Sequence, residues 1–355
     1  MEKEKKLKKF WKNKKVFVTG HTGFKGAWLT VFLNMLGAKI YGYSLPEKKN
    51  SFFSKIKKRN IIKKNFYSNI CDLNKLKQAL KIAKPEIIFH FAAQSLVSES
   101  FRNPYETFNT NFLGTLNILE SIDKRYVKST IITTTDKVYK FKKSNHKFSE
   151  SDDLGGDDPY SASKVCVEIL SNSYIKSIFK NKSLCKKVSV VRAGNVLGGG
   201  DISKNRLIPD IIRSLNSKKK LIVRNPDHIR PWQHVIEPIY GYLLLAELQY
   251  RNKIKVENRS WNFGPKKENF LKVKHIVKKF KGESLLSYSL KSNKKFTETK
   301  DLKLNSQKSR KNLRWSSKWD VDKIINKILE WNDENKKKGD LIKVSEKQIK
   351  EYLNK

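Results

Sequence analysis

Short apolar runs alternate with helical patterns over the first 195 residues of the chain, and this alternation constrains the fold more than any other feature. The runs are rich in β-branched and aromatic residues, which favour strands. We predict strands over 14–20, 38–44, 66–73, 85–93, 129–137 and 186–195, and helices over 24–37, 73–83, 104–122 and 159–180. Strands that alternate with helices of this length form a parallel sheet with right-handed crossovers. The sequence therefore predicts an α/β fold with a doubly wound parallel sheet.

The pattern changes after Asn195, where a glycine-rich loop, "VLGGGD", is followed by shorter elements. We interpret this region as a smaller C-terminal α/β lobe that lies over one edge of the sheet and binds the substrate. The predicted organisation is a sheet domain over 10–195, a lobe over 196–336 whose elements can interleave with the first domain, and a lysine-rich tail over 337–355.

The segment "TGHTGFKG" lies between the first predicted strand and the first predicted helix. Gly20, Gly23 and Gly26 allow a tight turn, a close approach of a pyrophosphate and close packing of helix on sheet, as in a Rossmann-type dinucleotide site. The second strand does not end in the acidic residue that binds an adenosine ribose, so the residues leave NAD and NADP both open. Asp72 either holds the adenine amino group or is a solvated loop residue.

A second motif, "YSASK", places Tyr160 and Lys164 four residues apart, so both lie on one face of a helix. Tyrosine is a poor base at neutral pH because its pKa is near 10. A neighbouring ammonium lowers that pKa and favours the phenolate, which can then act as a general base on an alcohol. Alone, the pair is also compatible with a chance spacing on a helix.

The segment "TTTDKVYK" puts Asp136 and Lys137 side by side where a β-branched strand ends. A solvated turn is the ordinary interpretation of such a pair, because loop ends are usually polar. An acid and a base at the end of a central strand can also act together on a bound substrate. The choice between the two depends on the other motifs.

The formal net charge is +42, which is compatible with binding to nucleic acid or to an anionic membrane. The lysines are spread over the chain rather than clustered, and residues 85–121 contain none. We therefore expect a solvated basic surface, with no nucleic-acid or membrane partner. No run reaches the length of a membrane span, no signal peptide is evident, and Cys71, Cys166 and Cys185 lack the spacing of a metal or disulfide site. A cytoplasmic protein without a metal is expected.

Taken together, "TGHTGFKG", "HFAAQ", "TNFLGT", "TTTDK" and "YSASK" resemble the extended short-chain dehydrogenase/reductase family. Further segments, including "VRAGNVLGGGD", "RNPDHIRPWQHV" and "WNFGP", are similar to the branch of that family that dehydrates nucleotide-diphosphate sugars, and CDP-glucose is the substrate they imply. The resemblance covers about Phe10 to Leu353. It breaks down at 140–149, where the family has a tryptophan-containing loop.

The resemblance implies an NAD-dependent 4,6-dehydratase that converts CDP-glucose to CDP-4-keto-6-deoxyglucose and water. Thr135 would bind the sugar 4-hydroxyl while Tyr160 removes its proton and NAD⁺ takes the hydride from C4. Lys137 would then remove the C5 proton, and Asp136 would protonate the departing 6-hydroxyl before the hydride returns to C6. This requires a neutral amine and a protonated carboxyl, and a water-poor pocket shifts both pKa values in that direction.

The remaining site residues also follow from the resemblance. The predicted catalytic residues are Thr135, Asp136, Lys137, Tyr160 and Lys164. The predicted cofactor-binding residues are Gly20, Thr22, Gly23, Phe24, Lys25, Gly26, Asp72, Ala92, Ala93, Asn111, Tyr160 and Lys164. The predicted substrate-binding residues are Gln94, Ser95, Asn195, Arg206, Arg230 and Asn262.

Two alternatives remain beside the dehydratase. Another nucleotide-sugar epimerase or reductase of the same fold would need Thr135, Tyr160 and Lys164 but not the acid–base pair at 136–137. A basic nucleic-acid-binding protein with an inactive cofactor fold is the more remote alternative. The resemblance further implies a role in deoxysugar synthesis for surface polysaccharide, such as lipopolysaccharide O-antigen. It also implies a homodimer or a tetramer, joined through the helix at 159–180.

Overall fold

The computed structural model describes residues 2–141, 146–180, 184–255, 259–282, 287–291 and 302–354. Residues 142–145 of the divergent segment lie outside the described residues. Within the described ranges, none of the helices has both the length and the apolar character needed to cross a membrane.

Twelve strands are found in the described residues. They are β1 (Lys15–Thr19), β2 (Lys39–Ser44), β3 (Lys64–Tyr67), β4 (Ile87–His90), β5 (Ser129–Thr133), β6 (Val188–Ala193), β7 (Asn195–Leu197), β8 (Leu221–Arg224), β9 (Ile229–His234), β10 (Ser260–Phe263), β11 (Phe270–Lys272) and β12 (Tyr288–Lys291). Seven of them form one parallel sheet in the order β10-β6-β5-β4-β1-β2-β3. The predicted doubly wound, Rossmann-type sheet is confirmed.

The described helices are α1 (Glu2–Trp11), α2 (Phe24–Met35), α3 (Phe52–Ile56), α4 (Leu73–Ala83), α5 (Val97–Arg102), α6 (Pro104–Phe108), α7 (Gly114–Glu120), α8 (Pro159–Lys176), α9 (Leu207–Ser217), α10 (Ile236–Tyr250), α11 (Val273–Gly282), α12 (Gln307–Leu313), α13 (Val321–Lys336) and α14 (Leu341–Asn354). A π-helical segment, Asn109–Leu113, joins α6 to α7.

The strand order places the candidate site. The chain starts the sheet at β1, builds outward through β2 and β3, and then crosses back to β4 on the other side of β1. In open α/β sheets a ligand crevice forms at this reversal, outside the carboxyl ends of the strands. The glycine segment follows β1 at that edge, and the residues after β4 and β5 meet it there.

Most predicted strands are shorter in the structure, as with β5, which ends at Thr133 instead of residue 137, and three further elements differ in their bounds. The third strand is Lys64–Tyr67 rather than 66–73, because Asp72 accepts a hydrogen bond from the Lys75 amide and begins α4 as its N-cap. The predicted helix 104–122 is interrupted by the π-helical segment. The helix that carries Tyr160 ends at Lys176 instead of continuing to residue 180.

The prediction of a lysine-rich tail over 337–355 is wrong, because α14 occupies residues 341–354. Ile349, Tyr352 and Leu353 are fully buried. These apolar residues recur at helical spacing, while the lysines fall on the opposite face of the helix. The lysine content concealed an amphipathic helix that packs beside α1, α2 and α13.

The later part of the chain interleaves with the sheet domain. Strand β10 pairs with β6 and forms an edge of the main sheet. One hydrophobic cluster includes Val16 of β1, Trp261 of β10 and Tyr352 of α14. The smaller lobe is built around the three-stranded sheet β11-β9-β7 and the pair β12-β8.

Candidate active site

A cavity of about 790 Å³ lies between the carboxyl edge of the main sheet and the smaller lobe. Its walls include the residues after β1, β2, β4, β5 and β6, together with the lobe segments around α9, β8 and β9. This volume falls in the range of roughly 300–1,000 Å³ typical of small-molecule sites. The cavity joins the three motifs identified in the sequence.

The glycine segment forms one end of the cavity. Gly20 has a φ of +70°, and a Cβ there would lie 2.7 Å from the Ala92 amide nitrogen. A Cβ on Gly26 would lie 2.2 Å from the Gly20 carbonyl oxygen. Gly23 begins α2 without any side-chain cap, so the first amides of the helix are left for a ligand. This backbone fits a dinucleotide pyrophosphate, and Thr22, Phe24 and Lys25 line the same end.

The end of β2 carries no acidic ribose ligand in the cavity wall. Ser44 and Lys48 line the cavity there, and the Thr22 hydroxyl lies 2.7 Å from the Ser44 hydroxyl. The Glu47 carboxylate pairs instead with Lys57. Asp72 caps α4 and is not among the lining residues, whereas Ser68 and Asn69 line that region; its contact with adenine stays a prediction.

Asp136 is buried in the cavity wall, with 2% of its surface exposed. The Thr135 hydroxyl donates to Asp136 Oδ1 at 3.1 Å, while Oδ2 has no hydrogen-bond partner. Burial raises the pKa of the carboxyl, and the charges of Lys137, Arg230 and Lys25 oppose that rise. A raised pKa is the direction that the proposed proton donation by Asp136 requires. Lys137 lies half-buried in the wall beside it.

Tyr160 and Lys164 both line the cavity, one helical turn apart on α8. Burial raises the pKa of Tyr160 to about 12, and the interaction with the Thr135 side chain opposes the rise. Burial also lowers the pKa of Lys164 to about 7. The Lys164 amine donates to the Thr133 carbonyl at 3.1 Å. Burial thus dominates at Tyr160, whose pKa lies above its ordinary value of 10 and not below it.

Two arginines from the lobe reach the opposite end. Arg206 donates to the Ser95 hydroxyl at 3.0 Å and pairs with Asp201 at 3.3 Å. Buried Arg230 has a guanidinium nitrogen 3.0 Å from His228 Nδ1. Several predicted residues line the same cavity, namely Ala92, Ala93, Gln94, Ser95, Asn195, Arg206 and Arg230.

Two further predicted residues are outside the cavity lining. Asn111 is buried behind the wall, where its amide bonds the Gln94 backbone and the Ser163 hydroxyl. Asn262 is buried in β10 and accepts from the Tyr139 hydroxyl at 2.6 Å. Both amides bond to protein partners, and the contacts of Asn111 with the cofactor and of Asn262 with the substrate stay predictions.

The sequence interpretation missed other lining residues. Thr133 has a buried hydroxyl without a partner, and His228 and Asp201 hold the two arginines. His228 immediately precedes β9 and lies two residues before Arg230, so its nearness to the predicted arginine could have identified it. Among the described residues there is no cluster of histidine, cysteine and acidic side chains suited to a metal.

Comparison with known proteins identifies relatives along almost the whole chain. The family described as GDP-mannose 4,6 dehydratase matches residues 17–328. A CDP-glucose 4,6-dehydratase from Salmonella typhimurium is 37% identical over 354 residues, which covers 98% of each chain.

Solved structures share the fold. The structure of dTDP-glucose 4,6-dehydratase from Bacillus anthracis in complex with NAD superposes with a TM-score of 0.75, at 19% identity, over 92% of this chain and 99% of that one. An epimerase from Methanothermobacter thermautotrophicus superposes with a TM-score of 0.80, at 21% identity, over 97% of this chain and 98% of that one. Because dehydratases and epimerases share this architecture, the reaction depends on the side chains in the cavity.

Proposed function

This chain belongs to the GDP-mannose 4,6-dehydratase family and is a nucleotide-sugar 4,6-dehydratase, and we propose that its substrate is CDP-glucose and its cofactor NAD. The proposed product is CDP-4-keto-6-deoxyglucose, with water released. The identity of 37% across the full length of the Salmonella typhimurium CDP-glucose 4,6-dehydratase supports the choice of nucleotide sugar.

One observation carries the proposed reaction, namely the buried Asp136 carboxyl with an unpaired oxygen in the cavity wall. A buried polar atom without a partner is unusual in a folded protein and calls for an explanation. The raised pKa favours the protonated form, which can donate a proton to a leaving hydroxyl. An epimerase acting at C4 alone has no use for such an acid beside Lys137.

The glycine segment and the start of α2 would hold the dinucleotide. The uncapped amides of α2 would bind its pyrophosphate, and Lys25 would add positive charge there. Ala92 and Ala93 would give the cofactor a flat apolar contact. When bound, the dinucleotide would supply the hydride acceptor for C4 as NAD⁺ and the hydride donor for C6 as NADH.

Thr135 and Tyr160 would act on the sugar 4-hydroxyl. The Thr135 hydroxyl would orient it, and the Tyr160 oxygen would take its proton as C4 is oxidised. Tyr160 must therefore be ionised, although burial raises its pKa to about 12. A cationic neighbour stabilises a phenolate, so we expect Lys164, whose pKa is near 7, to take up a proton when the complex forms.

Lys137 and Asp136 would then carry out the elimination. The ketone at C4 acidifies the C5 proton, which the Lys137 amine removes. The Asp136 carboxyl gives its proton to the 6-hydroxyl, which leaves as water. The product then forms when a hydride adds to C6 and a proton returns to C5. The two groups are adjacent in sequence, so one short turn presents both base and acid to neighbouring carbons of the sugar.

Arg206 and Arg230 would bind the nucleotide diphosphate, with Asn195 beside them in the cavity wall. A guanidinium can form two parallel hydrogen bonds to phosphate oxygens. Gln94 and Ser95 would contact the hexose. Arg206 belongs to the lobe, and Ser95 belongs to the segment after β4 in the sheet domain. Because the two side chains are hydrogen-bonded, a substrate that binds them would contact both walls of the cavity.

We also propose a cytoplasmic homodimer. Exposed apolar side chains cluster on α5, α6, the π-helical segment and α8, namely Phe101, Tyr105, Phe108, Phe112 and Ile169. A contiguous apolar surface of this kind is typical of an interface between protein chains. The three cysteines of the described structure are free, which suits a reducing compartment.

The test is incubation of the purified protein with catalytic NAD⁺ and, separately, CDP-, dTDP-, GDP- and UDP-glucose. We expect a 4-keto-6-deoxy sugar, identified by NMR, to form fastest from CDP-glucose. Formation of CDP-galactose without a deoxy product would instead indicate an epimerase. Faster turnover of another nucleotide would refute the proposed substrate but not the family reaction.

A further inference from the structure

A buried ion pair lies directly behind the cavity, between Glu168 of α8 and Arg192 of β6. Glu168 is fully buried, and Arg192 is 2% exposed. Arg192 Nε lies 2.7 Å from Glu168 Oε1, and Nη2 lies 2.9 Å from Oε2, so the pair is bidentate. Burying two charges is costly, and an apolar pair of similar size is often as stable. The pair therefore calls for a role beyond stability.

On one side, the ion pair is hydrogen-bonded to the segment that carries Thr135, which with Tyr160 is proposed to act in the oxidation at C4. We call this side its first arm. The Thr134 hydroxyl donates to Glu168 Oε1 at 2.6 Å, and Thr134 immediately precedes Thr135. Glu168 follows Tyr160 by two helical turns, so it lies on the same face of α8. The Glu168 carboxylate thus ties the end of β5, which carries Thr135, to the helix that carries Tyr160.

On the other side, its second arm, the ion pair is hydrogen-bonded to the segment that carries Asp136 and Lys137, which are proposed to act in the elimination. Arg192 Nη1 donates to the Tyr139 hydroxyl at 2.8 Å, and Tyr139 in turn donates to Asn262 Oδ1 at 2.6 Å. The Arg192 guanidinium also lies 4.9 Å from the centre of the Tyr139 ring. Tyr139 follows Lys137 by two residues in the same short turn. Arg192 thus fixes the far side of the segment that carries Lys137.

We propose that the Glu168–Arg192 pair is a positioning device with two separable arms: Thr134 aligns Thr135 with Tyr160 for oxidation, and Tyr139 aligns Lys137 for elimination. Glu168, Arg192 and Tyr139 are not among the residues that line the cavity, so they act through their neighbours. The inference rests on the proposed dehydration. It assigns a function to the hydrogen-bond network that runs from Glu168 and Arg192 through Tyr139 to Asn262.

A general structural role and the proposed role predict different kinetics. If the network only stabilised the fold, loss of either arm would slow both chemical steps together, in proportion to the loss of folded protein. With two separate arms, each variant slows one step. A displacement of a reacting group by about 1 Å can lower the rate about a hundredfold. We therefore expect a loss of about tenfold in a variant that folds but loses one arm.

The experiment compares two variants. Tyr139→Phe removes the hydroxyl of one arm, and Thr134→Val replaces the hydroxyl of the other arm by a methyl group. Holoenzyme with NAD⁺ is assayed with CDP-glucose deuterated at C4 or at C5, and the isotope effect on kcat/KM reports which C–H cleavage limits the rate. We expect about a tenfold loss in each variant. The C5 isotope effect should rise only in Tyr139→Phe, and the C4 effect only in Thr134→Val.

The matched control is Tyr174→Phe, which removes a hydroxyl from the same helix where it bonds Glu120 at the surface. It should leave both isotope effects and the rate unchanged. Dissociation constants for NAD⁺ and CDP, measured by calorimetry, should stay within about twofold of the wild-type values in all three variants, because none of these side chains is proposed to contact either ligand.

Equal changes of both isotope effects in both variants, or wild-type kinetics in folded Tyr139→Phe and Thr134→Val, would overturn the two-arm proposal. Failure of the proposed function is visible separately, because the wild-type protein would then form no deoxy product from CDP-glucose.

Discussion

Two buried carboxyl groups lie on either side of the end of strand β5, and their surroundings are opposite. Glu168, behind the strand, accepts hydrogen bonds on both oxygens from Arg192 and Thr134. Asp136, in front of it, has one oxygen bonded to Thr135 and the other without a partner in the cavity wall. Glu168 is satisfied by the protein, whereas Asp136 is left for a ligand. In the proposed mechanism, this difference separates Glu168, which holds the site, from Asp136, which reacts in it.

This contrast follows from how each charge is compensated. A buried carboxylate with a bidentate arginine keeps its charge and orders its surroundings. A buried carboxyl without full compensation takes up a proton more readily, since burial disfavours the charged form. In the proposed mechanism, two similar side chains on neighbouring elements thus serve different ends: Glu168 orders the site and Asp136 donates a proton.

Substitution at Lys137 tests the reactive side and should have the largest effect. Lys137→Met removes the proposed base, so product formation should fall about 10²- to 10⁴-fold while oxidation at C4 persists. The measurement is a single-turnover assay that quantifies trapped 4-keto sugar and reduced cofactor. Normal turnover in this variant would show that another group removes the C5 proton.

Substitution at Glu168 tests the satisfied side. Glu168→Gln leaves Arg192 buried without its counter-charge, and the free energy of unfolding should fall by about 3–5 kcal/mol. Chemical denaturation at neutral pH measures it. The control is Glu120→Gln on α7, whose carboxylate is bonded by the Tyr174 hydroxyl at the surface, and it should change the stability by less than about 0.5 kcal/mol. If Glu168→Gln and Glu120→Gln lowered the free energy of unfolding by similar small amounts, the proposed difference between Glu168 and a surface carboxylate would be contradicted.

Substitution at Asp136 should have the opposite sign and a smaller size. The pKa of the folded carboxyl lies above its ordinary value of 3.8, so its favourable contribution is complete only below that pH and is lost as the pH rises through the folded pKa. Asp136→Asn should therefore stabilise the ligand-free protein at pH 7 by about 0.5–2 kcal/mol, while activity falls. Denaturation curves at pH 7 and pH 4 should show the gain shrinking in acid. A destabilised variant at pH 7 would contradict the assignment.

The parts of the site that depend on backbone conformation could be predicted from the sequence. Gly20 and Gly26 have no room for a side chain, so their spacing identifies the cradle directly. The alternating patterns likewise predicted the order of the main elements. Asp136 and Tyr160 were identified because each belongs to a short motif at the end of a strand or the start of a helix.

What the sequence could not provide depends on contacts between distant segments. The environment that raises the pKa of Tyr160 to about 12 comes from burial, which no local motif encodes. Asn262 accepts a hydrogen bond from Tyr139, which lies more than a hundred residues earlier, and no local motif indicates that contact. Helix α14 was mistaken for a tail because its lysines outweighed its apolar spacing.

The most direct test of the central claim follows a deuterium atom from C4 of CDP-glucose with the purified protein and catalytic NAD⁺. If Asp136 and Lys137 eliminate water across C5 and C6 between the two hydride transfers, NMR should find the deuterium on the new methyl group at C6 of a 4-keto product. Deuterium retained at C4 of CDP-galactose, or no removal of the 6-hydroxyl, would contradict the account.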